Sequence, residues 1–419
     1  MSTTRTPPHL AEPQLTYATE GDADSYLRAI VRGFHDDYVA EHWQQELKTL
    51  DWDRNFGFQV DGRWVATCGA YSRTMTVPGG QVPTAAVTIV TVSPPYRRRG
   101  LLTQMMKHQL ERVAEEGREP VALLWASESL IYGRYGYGHA TPRVKISGPT
   151  RATAYLPAVE LPAGSGEEVG REDFQPAASA LRDELLSQRP GALDRPEKWW
   201  DSVLYDPESW RHGATALRFA LHYDETGEVD GYASFRLKDS DDVSAGGKQV
   251  VVGEVDGATP GAYAALWRYL LDLDLVRTFA RSNAPADEPL RYLVADQRAI
   301  KTELLDGTYA RLVDLPAALE ARSYSREADV TLAVDDRLLP ANHGTFRLQT
   351  GPDGASVTRS SASADVSLAV RELGAAYLGG TSLHALHRAG LLHEHTPGAV
   401  TQLADAFSWP TAPFCPDFF

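Results

Sequence analysis

Cysteine is almost missing from this chain: its 419 residues include only Cys68 and Cys415. Two such distant cysteines offer neither a disulfide framework nor metal-ligand spacing, so a reducing compartment is expected. No uninterrupted apolar run approaches the length of a membrane-spanning helix, so no membrane partner is expected. Residues 1–13 are polar and proline-rich, lack the apolar core of a signal peptide, and read as a flexible lead-in. A cytoplasmic location follows as the expectation. Positive charge is scarce as well, with 41 Lys and Arg against 56 Asp and Glu, a formal charge of −15. That balance argues against general nucleic-acid binding and favours cationic partners such as amines. No G-x-S-x-G or H-E-x-x-H run occurs, so serine-nucleophile and metalloenzyme readings lack their spacings, and no metal is expected.

What is present is an ordinary globular composition, 43% apolar and 23% charged, long enough for two to four domains with separate cores. The most informative stretch is residues 85–137. Residues 86–92 are β-branched almost throughout, as in a short buried strand. Residues 101–115 carry apolar side chains at helical spacing. Between them lies the local exception to the acidic composition, Arg97-Arg98-Arg99-Gly100. A strand, a basic glycine-containing loop and a helix start together form an anion site. The first helical N–H groups are unpaired, and the helix dipole adds about half a positive charge. A second apolar run at 121–126 and the aromatic turn Ile131-Tyr132-Gly133-Arg134-Tyr135-Gly136-Tyr137 follow in order. An arginine run alone is more often a solvated surface feature; its place between strand and helix favours the anion site.

These pieces resemble a known family. Arg97-x-x-Gly100-x-Leu102 is similar to the R-x-x-G-x-(G/A) pyrophosphate loop of GNAT acetyltransferases, with Leu102 departing from the usual small residue. With Ser127, Glu128 and the Tyr132-to-Tyr137 turn, it resembles the Eis ("enhanced intracellular survival") acetyltransferases. The resemblance implies an α/β (α+β) fold: two tandem GNAT-like domains, each a mixed central sheet flanked by helices, then a sterol-carrier-protein-2-like α+β domain. It implies acetyl-CoA as co-substrate, held by Thr91, Val92, Ser93, Arg97, Arg98, Arg99, Gly100, Leu101, Leu102, Thr103, Gln104, Ser127 and Glu128. It also implies Tyr132 as general acid and the terminal carboxylate of Phe419 as base, and a homohexamer built from two trimers. The acceptor it implies is a small cationic amine, with aminoglycosides favoured and lysine or polyamine amines fitting the same acidic pocket. Asp36 and Asp37, after the first helical stretch, and Asp417, in the terminal tail, are the candidate acceptor-binding carboxylates. A solvated helix end explains the first two equally well. The alternatives are a CoA-responsive binding protein and a thioesterase.

Along the chain, residues 21–34 read as a helix, followed by a polar aromatic-bearing stretch reaching Trp43. Strands are expected over 56–60, 64–72 and 81–92. The proline- and glycine-rich residues 156–166 separate a catalytic unit, 14–156, from a second unit, 157–310. The second unit repeats the strand–loop–helix order, but its loop, Gly257-Ala258-Thr259-Pro260-Gly261, carries no arginine. That unit is expected to lack a cofactor site and to serve packing and assembly. Trp199, Trp200 and Trp210 read as core or packing aromatics. A third unit, 311–419, alternates short strands, among them 344–350, 355–359 and 364–370, with helices and ends in an apolar tail expected to dock.

Overall fold

The computed structural model describes residues 12–240, 247–352 and 354–419; all but the end of the expected lead-in at 1–13 lies outside them. Three mixed sheets organise the chain. The first has the spatial order Gln14–Tyr17, Phe56–Val60, Arg63–Val77, Gly80–Val92, Val121–Trp125, Thr308–Leu312, Gly138–His139. The second runs Lys301–Asp306, Pro142–Pro149, Val276–Pro285, Lys248–Gly257, Val229–Asp239, Arg218–Asp224, Gly164–Val169. The third runs Gly354–Arg359, Gly344–Gly351, Ala328–Asp335, Val366–Ala369, Leu392–Glu394.

The two larger sheets exchange strands across the boundaries expected at 156 and 310. Pro142–Pro149 pairs in the second sheet, between Lys301–Asp306 and Val276–Pro285. Thr308–Leu312 returns to the first sheet, between Val121–Trp125 and Gly138–His139. Both are short apolar or alternating runs, and nothing in such a run specifies which sheet it will join.

The helix Leu101–Glu116 forms where the periodicity predicts it. Gly100, at φ 82°, starts it, Gly117, at φ 64°, ends it, and Leu101, Met105, Met106, Leu110 and Val113 are buried. Each such side chain contributes about 1.5–3 kcal/mol on burial. The first sheet and the third unit share one continuous core, joining Met75, Val121 and Leu312 to Leu332, Leu348 and Phe407.

Four expectations need correction. The polar stretch reaching Trp43 contains a helix, Ala40–Leu47, because Trp43 and Leu47 lie one turn apart on one face. The separator at 156–166 ends inside an edge strand, Gly164–Val169, whose exposed residues show no alternation. Trp199 and Trp200 are buried, but Trp210 is 42% exposed, its ring in T-shaped contact with His42 and Tyr205. Residues 364–370, read as one strand, split into Val366–Ala369 and a helix that begins at Val370.

Candidate active site

The centre of the first sheet is split. Gly80–Val92 and Val121–Trp125 run parallel, but their register ends at Val87–Leu124. Just beyond, Gly80–Val92 bulges. Thr67 pairs with Thr91 and Gly69 with Thr88, leaving one extra residue on that strand, and Ile89 sits at φ 50°. A bulge bends and twists its strand, here away from the parallel neighbour, and opens a wedge between the two arms. Thr67 holds the distortion, its hydroxyl donating to the Ile89 carbonyl at 2.7 Å and lying 2.7 Å from the Thr91 hydroxyl. The helix Ala23–Phe34 lies against the same point: a Cβ on Gly33 would stand 2.4 Å from the Thr91 Cβ.

On the first arm, the Ser93 N–H donates to the Val65 carbonyl at 2.8 Å, so this expected contributor spends its donor within the sheet. Strand alternation turns the Val92 backbone to the opposite edge, where its carbonyl accepts from Arg97 Nε at 3.1 Å. Arg97, Arg98, Arg99 and Gly100 are exposed. The Arg99 guanidinium lies over the Tyr96 ring, and among the described residues none of the three arginines pairs with a carboxylate. Gly100, at φ 82°, adopts the left-handed geometry glycine takes without strain. Leu101 is buried and Leu102 half-buried against two core clusters. Inward packing of Leu102 leaves its backbone free, so its size does not obstruct the loop. Thr103 and Gln104 are exposed on the first turn, with the Thr103 hydroxyl 3.2 Å from that of Tyr135. Guanidiniums without carboxylate partners among the described residues, together with the helix-start N–H groups, fit a pyrophosphate.

Ser127 and Glu128 follow the other arm and are exposed; Glu128 precedes the short helix Ser129–Tyr132. Tyr132 is 5% exposed, and burial pushes its phenol well above the ordinary value, with the nearby Cys68, Tyr135 and Glu128 adding to the rise.

The terminal tail reaches this wedge. Trp125 Nε1 donates to the Asp417 carbonyl at 2.8 Å, and Phe418 stacks on the Trp125 ring with centroids 4.3 Å apart. Phe419 packs against Leu50, Tyr71, Ala86 and Trp199. Asp417 corrects an expectation. It is 2% exposed and ion-paired to Arg182 at 2.6 Å and Arg195 at 2.7 Å, so its carboxylate anchors the tail and cannot meet a substrate. Asp36 and Asp37 are exposed in the turn after Ala23–Phe34, whose last residues include Gly33. Sequence reading missed Glu46 on the helix Ala40–Leu47. Burial raises its carboxyl, and its charge acts on Tyr71 in the cluster that receives Phe419. Only the Trp43–Leu47 spacing hinted at that helix.

Comparison with known proteins agrees with this geometry. Residues 14–140 and 191–312 each match an acetyltransferase (GNAT) domain, and residues 315–416 match a sterol carrier protein domain. An uncharacterized N-acetyltransferase of Streptomyces coelicolor is 40% identical over 406 residues, covering 94% of this chain and 97% of the relative. The N-acetyltransferase Eis of Mycobacterium bovis (strain BCG) is 34% identical over 339 residues, 80% of each chain. The crystal structure of Eis1 from Mycobacterium abscessus superposes with a TM-score of 0.84 at 31% identity, covering 97% of this chain and 100% of that one. With a split catalytic sheet, a basic loop at a helix start, two GNAT domains and a sterol-carrier domain in order, the chain belongs to the Eis family of GNAT N-acetyltransferases.

Proposed function

We propose that this N-acetyltransferase uses acetyl-CoA and moves the acetyl group directly to a primary amine of a small cationic acceptor. The wedge between Gly80–Val92 and Val121–Trp125, beside arginines that no carboxylate pairs among the described residues, carries the reading. Arg97, Arg98, Arg99 and the N–H groups of residues 101–103 would hold the pyrophosphate, since the Gln104 N–H already donates to the Gly100 carbonyl at 3.0 Å, and the Val92 backbone would meet the pantetheine as a further strand. Ser127 and Glu128 flank it on the opposite arm. The thioester supplies an activated acetyl group, so neither a covalent enzyme intermediate nor a metal is needed.

The amine must lose a proton and the departing thiolate must gain one. Burial keeps the Tyr132 phenol protonated, which suits a proton donor. The terminal carboxylate of Phe419 is the base in this reading. With a reference pKa near 3.5 against an ammonium near 10, it attracts the cation and relays its proton through water. Asp36, Asp37 and Glu46 add negative charge for the acceptor. Acidic surroundings favour aminoglycosides, polyamines or lysine side chains alike. A cytoplasmic homohexamer belongs to the same reading; the edge strand Lys301–Asp306, with Leu304 69% exposed, is a surface suited to assembly.

The test is free-thiol release from acetyl-CoA with a panel of aminoglycosides, polyamines and lysine peptides. Release that requires an amine supports transfer. Release without amine means hydrolysis, and no release with any amine would leave only binding. Mass measurement in solution tests the hexamer.

A further inference from the structure

The second sheet repeats the catalytic split. Lys248–Gly257 and Val276–Pro285 run parallel, and their register stops at Val252–Arg281. At that point Ala233 pairs with Val255 and Phe235 with Val252, an extra residue on Lys248–Gly257 in the same place as the bulge in Gly80–Val92. The arms part, and a cavity of about 400 Å³ lies between them, closed by the start of the helix Pro260–Leu271. That volume is typical of small-molecule sites. The second unit therefore has the cleft without the arginine loop.

Its chemistry is the reverse of the first. Pro260 has no N–H, and the Thr259 hydroxyl already accepts from the Ala262 N–H at 3.0 Å, so the helix start has little left for a phosphate. Most charged groups in the lining are committed. Glu254 takes both its bonds from Arg195, at 2.6 and 3.2 Å. Glu288 is bonded by Arg281 at 2.8 Å, by the Tyr263 hydroxyl and by the Leu290 N–H. Arg189 bonds Asp287 at 3.0 Å and the Ala412 carbonyl at 2.9 Å.

Asp256 is different. Among the described residues its side-chain carboxylate accepts one hydrogen bond, from the Gly257 N–H at 3.1 Å, and no cation pairs with it. Burial pushes its carboxyl up, even with Arg281 and Arg189 in the vicinity. Around it the walls are apolar or aromatic: Val255, Tyr232, Pro285, Leu293, and Phe414 and Pro416 from the tail. A mostly buried carboxylate with an open oxygen, in a cavity with apolar walls, matches a ligand with an ammonium head and a compact hydrocarbon body.

We propose that the cleft between the arms Lys248–Gly257 and Val276–Pro285 is a second ligand site, binding a small organic ammonium compound through Asp256. The site lies in the second unit and is separate from the catalytic wedge. The tail that ends at Phe419 forms part of its wall.

Calorimetric titration of the full chain with cyclohexylamine, cyclohexanol and cyclohexanecarboxylate tests this. The expected result is a cyclohexylamine site at least tenfold tighter than either isostere, lost in Asp256→Asn and in Ala258→Trp. The latter plugs the mouth from an exposed position and does not touch the buried groups. An amine held in the catalytic wedge would survive both substitutions. Absence of cyclohexylamine binding, equal binding of the alcohol or the carboxylate, or a preference that persists in both variants would overturn the proposal.

Discussion

Replacing Asp417 with alanine should free the terminal tail while leaving the rest of the fold in place. Asp417, Arg182 and Arg195 each have side chains 1% exposed. After the change Arg195 still has both oxygens of Glu254. Among the described residues, Arg182 keeps only the Leu193 carbonyl at 3.2 Å, and its Nε already lacks a partner there. The cost therefore falls mainly on Arg182, a buried cation left without its counter-ion, worth about 3–5 kcal/mol. At about 1.4 kcal/mol per decade, opening of the tail should rise at least about 100-fold. Hydrogen exchange in the peptide covering 411–419 would read this directly. The double change Arg182→Met with Asp417→Leu should recover much of the protection, since an apolar pair removes the stranded charge. Slow exchange in Asp417→Ala, equal to the unchanged chain, would refute the anchoring role. The pH dependence has a defined sign. Burial alone would raise the Asp417 carboxyl, but Arg182, Arg195 and Arg73 hold it below the usual range. A carboxyl depressed in the folded state contributes fully above its unfolded value of about 3.9 and loses that contribution as pH falls through the folded value. Tail protection should be flat from about pH 5 upward and decline only in stronger acid.

Arg99→Glu should weaken acetyl-CoA binding strongly, because a like charge against phosphate in a tight site costs several kcal/mol by order of magnitude; calorimetry would show it, and unchanged affinity would make the loop a mere surface feature. Tyr132→Phe should leave acetyl-CoA affinity near normal and lower turnover about 100-fold, the effect of removing a general acid; wild-type turnover would return Tyr132 to a packing role. Appending a few residues after Phe419 should nearly abolish transfer with melting temperature retained, whereas Phe419→Leu should stay partly active; full activity in an extended chain, verified intact by mass, would move suspicion to Asp36 or Glu46. Gly33→Ala should destabilise the chain by about 1–3 kcal/mol through overpacking against Thr91, and denaturant titration would detect it.

The local grammar of the first sheet was legible: β-branched strand, glycine start and helical periodicity all lie within 86–116, where sequence neighbours are also spatial neighbours. The wedge itself was not, because a bulge at Ile89 is a property of pairing with Thr67 and Gly69, which the strand's own composition does not encode. Asp417 read as a free tail carboxylate because its partners, Arg182 and Arg195, lie more than 200 residues away. Trp210 looked like its neighbours Trp199 and Trp200, and exposure depends on what covers a residue. Glu46 was hidden by a helix with too narrow an apolar face to register. The second cleft was obscured by the correct observation that its loop lacks arginine; loss of the charges did not close the space.

The strand exchange also dictates an order of assembly during synthesis. Thr308–Leu312 lies beside Val121–Trp125, the strand that carries one arm of the wedge. Until residue 312 has left the ribosome, that arm has an unpaired edge, and pairing it requires closing a loop that spans the whole second unit. The slow, non-local step therefore comes late, and the nascent first unit must persist in the meantime with an open apolar strand. A fragment cut at residue 140 or 156 would keep every motif of the first unit and still lack the strand that joins Val121–Trp125 to Gly138–His139.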